Sequence, residues 1–189
     1  VKEVLITPSI TGECNVSLEM FIMRTEFLKK IVQEAASKSQ HSLVRDVLQG
    51  RKDEFVIKGY EHKGVFTKID GLAAYYQANL SLLQADTRAG LFQESAPIYT
   101  KVGDNAPVKY GLESSVKNSL IADGCVIEGS VENCVLFRGV RIGKDAVVKN
   151  SVLMQGTHVG EKCNIERVIA DKNVDISSDK VLTGSDDFP

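Results

Sequence analysis

SLIADGCVIEGSVEN (119–133), CVLFRGVRIGKDAVVKN (134–150), SVLMQGTHVGEKCNIER (151–167) and VIADKNVDIS (168–177) follow one another in the chain and align on one another. Gly124, Gly139 and Gly156 coincide, as do Gly143 and Gly160, and Asn133 and Asn150. Within each line an aliphatic residue is followed four positions later by a small or β-branched one: Ile121/Cys125, Ile127/Val131, Leu136/Val140, Ile142/Ala146, Val148/Val152, Leu153/Thr157, Val159/Cys163 and Ile165/Ile169. A three-sided parallel coil turns a corner about every six residues, so each face sends one aliphatic side chain inward and leaves room only for a small residue near the corner. A β-sandwich would instead alternate with period two and signal turns every 8–12 residues or so, which leaves the sixfold phase unexplained. The spacing therefore predicts a left-handed parallel β-helix of hexapeptide repeats from about Ser119 to Ile176, with the eight aliphatic residues that lead the pairs pointing inward and the small residues near the corners. The slips from Ile127 to Leu136 and from Val148 to Leu153 imply coils of unequal length. Cys125 and Cys163 fall at cramped positions and read as packing residues.

Upstream the grammar changes. Val1–Thr7 and Val16–Met23 read as short apolar strands, and Phe55–Tyr60 and Val65–Ile69 as two more, with Gly59 and Gly64 bracketing a tight connection. Leu28, Ile31, Val32 and Ala35 recur at helical spacing after Thr25, a suitable N-cap, and Ser42–Leu48 reads as a shorter helix. A third helix starts near Asp70, with Leu72, Tyr75, Tyr76, Asn79, Leu80 and Leu83 on one face. Residues 1–92 are thus an α/β unit, 93–118 a connector without periodicity and 119–189 the β-helix domain.

Composition narrows the class of function. Of 189 residues 43% are apolar and 25% charged, a globular balance, and a net charge of −2 gives no reason to expect nucleic acid or a membrane surface as partner. No apolar run approaches the ~18 residues of a membrane span, and Lys2-Glu3 does not suit a signal peptide, so a cytoplasmic location is expected. Cys14, Cys125, Cys134 and Cys163 lack CxxC spacing and clustered histidines, which favours reduced structural thiols over a zinc site.

Three stretches carry a resemblance that spans nearly the whole chain. Tyr75-Tyr76-Gln77-Ala78-Asn79-Leu80, the run Lys117-Asn118-Ser119-Leu120-Ile121-Ala122-Asp123-Gly124-Cys125-Val126-Ile127-Glu128-Gly129 and its continuation Val131–Val140 resemble the C-terminal half of bacterial glucose-1-phosphate adenylyltransferase (ADP-glucose pyrophosphorylase). Hexapeptide repeats alone are shared with acyltransferases; joined to this helix they are more specific. The resemblance implies a nucleotidyltransferase-like α/β domain before the β-helix. It also implies transfer of an adenylyl group from ATP to glucose 1-phosphate, with a glycine-rich loop on the triphosphate and aspartates holding Mg²⁺. No Gly-Gly pair occurs and no glycine precedes Gly12, so the nucleotide-cradling loop is expected outside this chain, which reads as a fragment with no cofactor of its own. Mg²⁺ is expected only in a catalytic member.

Two positions depart from the catalytic pattern. Where catalytic members carry Y-W-x-D-V-G-T-I, the chain has Val65-Phe66-Thr67-Lys68-Ile69-Asp70-Gly71-Leu72, and Lys68 stands at the metal aspartate. A cation there removes a ligand and reverses the local electrostatics. Asp70 could substitute in part, or cap the following helix. The family's sugar-binding S-M-G-I-Y reads Ser17-Leu18-Glu19-Met20-Phe21: Ser17 is retained as a substrate-binding candidate, while the glycine has become Glu19. With both losses, no residue is assigned a catalytic or metal-ligating role. The chain then resembles the non-catalytic D-type subunit of glycogen synthesis in low-GC Gram-positive bacteria, which pairs with a catalytic subunit in a homo- or hetero-oligomer.

Three functions stay open on the sequence: a regulatory subunit of the adenylyltransferase, an active adenylyltransferase whose catalytic loop lies in an N-terminal part, and a hexapeptide acyltransferase. His158 would be the general base of the last, or an outward coil residue. His41 and His62 read as surface residues. Lys101, Lys109 and Lys117 decorate the connector, as a solvated linker or as a receiver of an anionic effector.

Overall fold

The structure is a computed structural model that describes residues 15–185, 188 and 189. The expected strand Val1–Thr7, and Cys14 with it, lies outside the described residues. The chain divides into two compact units, Val1–His62 and Lys63–Pro189.

In the first unit the helical spacing after Arg24 gives α1 (Thr25–Ser37). Thr25 is its first helical residue; Arg24 takes the cap position and makes no side-chain cap bond. Ile31 is buried, while Leu28 and Val32 on the expected apolar stripe are 42% and 57% exposed. The expected helix at 42–48 is a single wide π-type turn, Leu43–Gln49, with Val47 buried. Its start is held by side chains, because the first N–H groups of any helix lack partners inside it. The Ser42 hydroxyl accepts the Arg45 N–H at 3.2 Å, and one Asp46 carboxylate oxygen accepts the N–H groups of His41 and Ser42, both at 2.9 Å. Arg51 bridges Glu34 at 2.8 Å and Glu54 at 2.7 Å and lies 4.9 Å above the Phe55 ring.

No ladder forms over 16–23, 55–60 or 65–69 among the described residues, contrary to the strands read there. A strand exists only through hydrogen bonds to a neighbour. These runs have strand-like side chains but no partner strand beside them among the described residues, and Val56 and Tyr60 stay 90% and 94% exposed.

The second unit opens with α2 (Leu72–Ser81) and α3 (Ala85–Leu91). Gly71, not Asp70, is the cap residue of α2. Then comes the parallel β-helix, whose first strand lies inside the stretch read as connector. Three sheets form its sides. The first holds β1 (Lys109–Tyr110), β4 (Val126–Ile127), β7 (Arg141–Ile142), β10 (His158–Val159) and β13 (Asp175–Ile176). The second holds β2 (Ser115–Lys117), β5 (Ser130–Glu132), β8 (Val147–Lys149), β11 (Asn164–Glu166) and β14 (Val181–Thr183). The third holds β3 (Leu120–Ile121), β6 (Val135–Leu136), β9 (Val152–Leu153) and β12 (Ile169–Ala170). Every pairing is parallel, which makes this the β-helix the repeats predicted.

The register explains the slips. Neighbours in a sheet are one coil apart, a step of 17 residues from Ser130 to Val147 and from Val147 to Asn164. The step from Val126 to Arg141 is 15. The missing pair falls at the corner after β4, where Glu128-Gly129 does the work of Gly143–Ala146 one coil later. A side chain on Gly129 would run into the Ala146 carbonyl oxygen, so the tight corner needs glycine there. Another corner is turned in each coil by a left-handed residue, Asn118, Asn133, Asn150 or Arg167, at φ between 39° and 53°. Asparagine tolerates that region better than most residues, which is why Asn133 and Asn150 align.

Inside, Ile127, Val131, Leu136, Val140, Ile142, Val148, Leu153, Val159 and Ile165 are at most 1% exposed. Each such side chain contributes about 1.5–3 kcal/mol by leaving water. Cys125 and Cys163 are buried with them, as expected, and so is Cys134. Two paired residues behave otherwise: Val152 and Ile169 lie on the outer face of the third sheet. The corner before each, residues 150–151 or 167–168, is two residues long where the other corners of the coil have four, so the inward small residue before Leu153 is Ser151 instead. Its buried hydroxyl donates to the Lys149 carbonyl at 2.6 Å and accepts the Val168 N–H at 3.1 Å.

Helix α2 covers that outer face. Tyr76 is 1% exposed and packs with Val135 and Val152, while Tyr75, Leu80 and Leu83 extend the cluster toward Leu120, Phe137 and Ile169. Leu72, expected on the same helix face, is 68% exposed. Arg88 closes the C-terminal end of α2 by donating to the carbonyls of Leu82 and Leu83 at 2.6 and 2.8 Å.

Candidate functional site

Ser17 lies in the first unit, in an irregular segment. Its hydroxyl accepts the N–H of Glu19 at 3.1 Å and so closes a tight local turn. Glu19 sits at φ 58°, in the left-handed region where a side chain costs energy and glycine does not. The backbone here keeps the shape that a glycine would suit, while the residue is a carboxylate.

Lys68 lies in the second unit, in the extended run before α2. Its ammonium pairs with the Asp70 carboxylate at 3.5 Å, and both side chains are more than 60% exposed. Asp70 therefore neutralises Lys68 and caps nothing. An ammonium has no lone pair to offer a cation, and no group of three or more His, Cys, Asp or Glu able to hold a metal occurs among the described residues. These donors do not fit a bound Mg²⁺, and no step through the metal follows from them.

Beside this run lies an open groove of about 310 Å³, walled by Val65, Thr67 and Ile69 on one side and by Ala78, Leu82 and Leu91 on the other. Its lining carries no charged group, so it is not built for a phosphate. The alternation of the extended run puts Thr67 and Ile69 on the groove and Lys68 away from it.

The remaining candidates do not converge. Lys101 is exposed and its carbonyl accepts from Arg138 at 3.0 Å. Lys109 belongs to β1 in the first sheet and Lys117 to β2 in the second, so these two decorate the coil and not a connector. His158 stands outward on β10, with its Nδ1 3.2 Å from the Asp175 carboxylate on the next strand. His41 is exposed at the start of the wide turn. In the coil, burial pushes the Cys134 thiol up to about 11 and raises that of Cys125, so neither is a ready nucleophile.

Comparison with known proteins adds what geometry alone does not give. Residues 106–187 match the family model described as GlmU-like, C-terminal hexapeptide. The glycogen biosynthesis protein GlgD of Bacillus subtilis (strain 168) is 40% identical over 173 residues, covering 92% of this chain and 50% of the relative. GlgD of Geobacillus stearothermophilus is 43% identical over 132 residues, 70% of this chain and 38% of its own length. Glucose-1-phosphate adenylyltransferase of Anaeromyxobacter sp. (strain Fw109-5) is 29% identical over 188 residues, 88% of this chain and 46% of the relative. The chain spans about half the length of the curated relatives it matches. Among the described residues no helix is long and apolar enough to cross a membrane.

Proposed function

We propose that the chain is part of a non-catalytic, regulatory subunit of glucose-1-phosphate adenylyltransferase, a reading supported by its similarity to the glycogen biosynthesis protein GlgD and to that adenylyltransferase. The observation that carries this reading is Lys68. It occupies the position at which, by resemblance, catalytic members hold the metal with an aspartate, and its charge is already committed to Asp70. Glu19 adds a carboxylate where a sugar phosphate would come close to backbone, and like charges repel. In this reading Ser17 is a remnant of the sugar site, Mg²⁺ belongs to the catalytic partner, and the two subunits meet in the cytoplasm.

The experiment is an assay of the full-length protein with ATP, glucose 1-phosphate and Mg²⁺. Alone it turns over negligibly, because electrostatic groups of this kind control rate by about 10² or more each. Lys68→Asp alone does not restore activity, since Glu19 still opposes the substrate. Added to a catalytic subunit, the protein changes the maximal rate or the response to effectors. Turnover by the protein alone at the level of a catalytic subunit rejects the reading.

A further inference from the structure

The outer face of the second sheet carries two columns of side chains on either side of the inward residues Val116, Val131, Val148, Ile165 and Leu182. One column is Ser115, Ser130, Val147, Asn164 and Val181, all short or flat. The other is Lys117, Glu132, Lys149 and Glu166, ending on Thr183, so charge alternates strictly along the coil axis. Lys149 and Glu132 approach to 3.8 Å, and their side chains remain 48% and 43% exposed.

An alternating row with an even number of charges is self-complementary when reversed. A twofold axis parallel to the strands, passing between β5 and β8, keeps each column opposite itself and reverses its order. Lys117 then faces Glu166 of the second copy, and Glu132 faces Lys149. All four charged positions meet the opposite sign, and Ser130 faces Val147 across the short column. A twofold along the coil axis would give no such match. We propose that this face is a self-association surface whose occupant is a second copy of the chain, held with the two coil axes antiparallel.

Five strands about 4.8 Å apart make a face only about 20–24 Å wide. With strands of three residues, about 10 Å long, the patch covers only about 200–240 Å², below the roughly 800 Å² per partner of stable pairs, so the association is weak and salt-sensitive. Within one chain the same alternation places opposite charges side by side, which stabilises the sheet slightly. A test has to separate the two roles.

Charge swaps do so. The protein, Lys149→Glu and Glu132→Lys are measured by sedimentation equilibrium from about 1 μM to about 1 mM at low salt, a range that covers weak polar interfaces. The unsubstituted protein associates further than either single variant, each of which places two like-charged contacts across the axis. A mixture of the two variants restores association, because every charge again meets its opposite. The double variant E132K/K149E also associates, although it puts like charges side by side within each chain. Circular dichroism checks that the variants fold; Lys117→Glu and Glu166→Lys, mixed in the same way, are the second pair should either fail. Equal association of the parent and both variants, or a mixture that associates no more than its components, overturns the proposal.

Discussion

The Tyr76 hydroxyl donates to the main-chain carbonyl of Asn150 at 2.5 Å, from a helix to a coil corner held at φ 46°. The bond spans 74 positions of sequence and fixes α2 on the third sheet. Tyr76→Phe keeps the ring and strands the carbonyl, so it costs about 1–2 kcal/mol in urea unfolding. Tyr76→Ala also removes the ring from Val135 and Val152 and costs about 3–5 kcal/mol.

Glycine at 129 is required by close approach, and glycine at 71 is not. Gly129→Ala drives a methyl group into the Ala146 carbonyl and destabilises the protein by about 1–3 kcal/mol. Gly71→Ala meets nothing within 4 Å, and its backbone, at φ −171°, is open to any residue. The expected change there is small, a loss of about 1 kcal/mol or less, since alanine narrows the unfolded ensemble but is a poorer helix cap than glycine. Thermal melts of the two variants side by side decide the point.

The three coil thiols should be silent toward a thiol reagent in the native state. Cys125, Cys134 and Cys163 are 0%, 0% and 1% exposed, and burial takes the Cys134 thiol to about 11. At pH 8 almost none of it is thiolate, the reactive form. Peptide mapping after a short alkylation finds these three unmodified, and fully modified in denaturant. Rapid native labelling of Cys134 would contradict the packing described.

Acid should loosen the start of the wide turn. Two backbone N–H groups, first that of Ser42 and then that of His41, hold the Asp46 carboxyl below its ordinary value. A carboxyl depressed in the folded state stabilises it above the unfolded value, near 4, and that stability is lost as pH falls through the lower folded value. Protection of the His41 and Ser42 amides relative to their intrinsic exchange rates, read by NMR, therefore falls as pH drops below about 4. Asp46→Asn abolishes the pH dependence.

The coil was legible because its geometry admits few side chains: an inward position such as Ile142 or Val159 has no polar alternative, and the repeat multiplies the signal. Val152 and Ile169 face outward because the corner before each is two residues shorter than the other corners of its coil, a change that the five-residue slip from Val148 to Leu153 records without saying which neighbour faces in. The asparagines did mark those corners, through their backbone preference and not their chemistry. Upstream, Phe55–Tyr60 and Val65–Ile69 have the residues of strands, but a ladder depends on a partner that local sequence does not contain. Lys68 was legible only against a family pattern; its pairing with Asp70 follows from their spacing along an extended run, where residues two apart share a side. The alternating charges of Lys117, Glu132, Lys149 and Glu166 escaped notice because their 15- and 17-residue separations become a row only once the coils are stacked.

The short corner at Glu128-Gly129 has a consequence for how such a coil can change length. It is shorter than its counterpart by two residues, and two is the number after which a strand presents the same face again. Parity is conserved: Val131 returns to the interior as Val148 does, and every later column stays in place. A loss of one residue would have turned Ser130 and Glu132 inward and Val131 out. The coil can therefore lose a pair of residues at this corner without disturbing its columns, and Gly129 marks where that pair is missing.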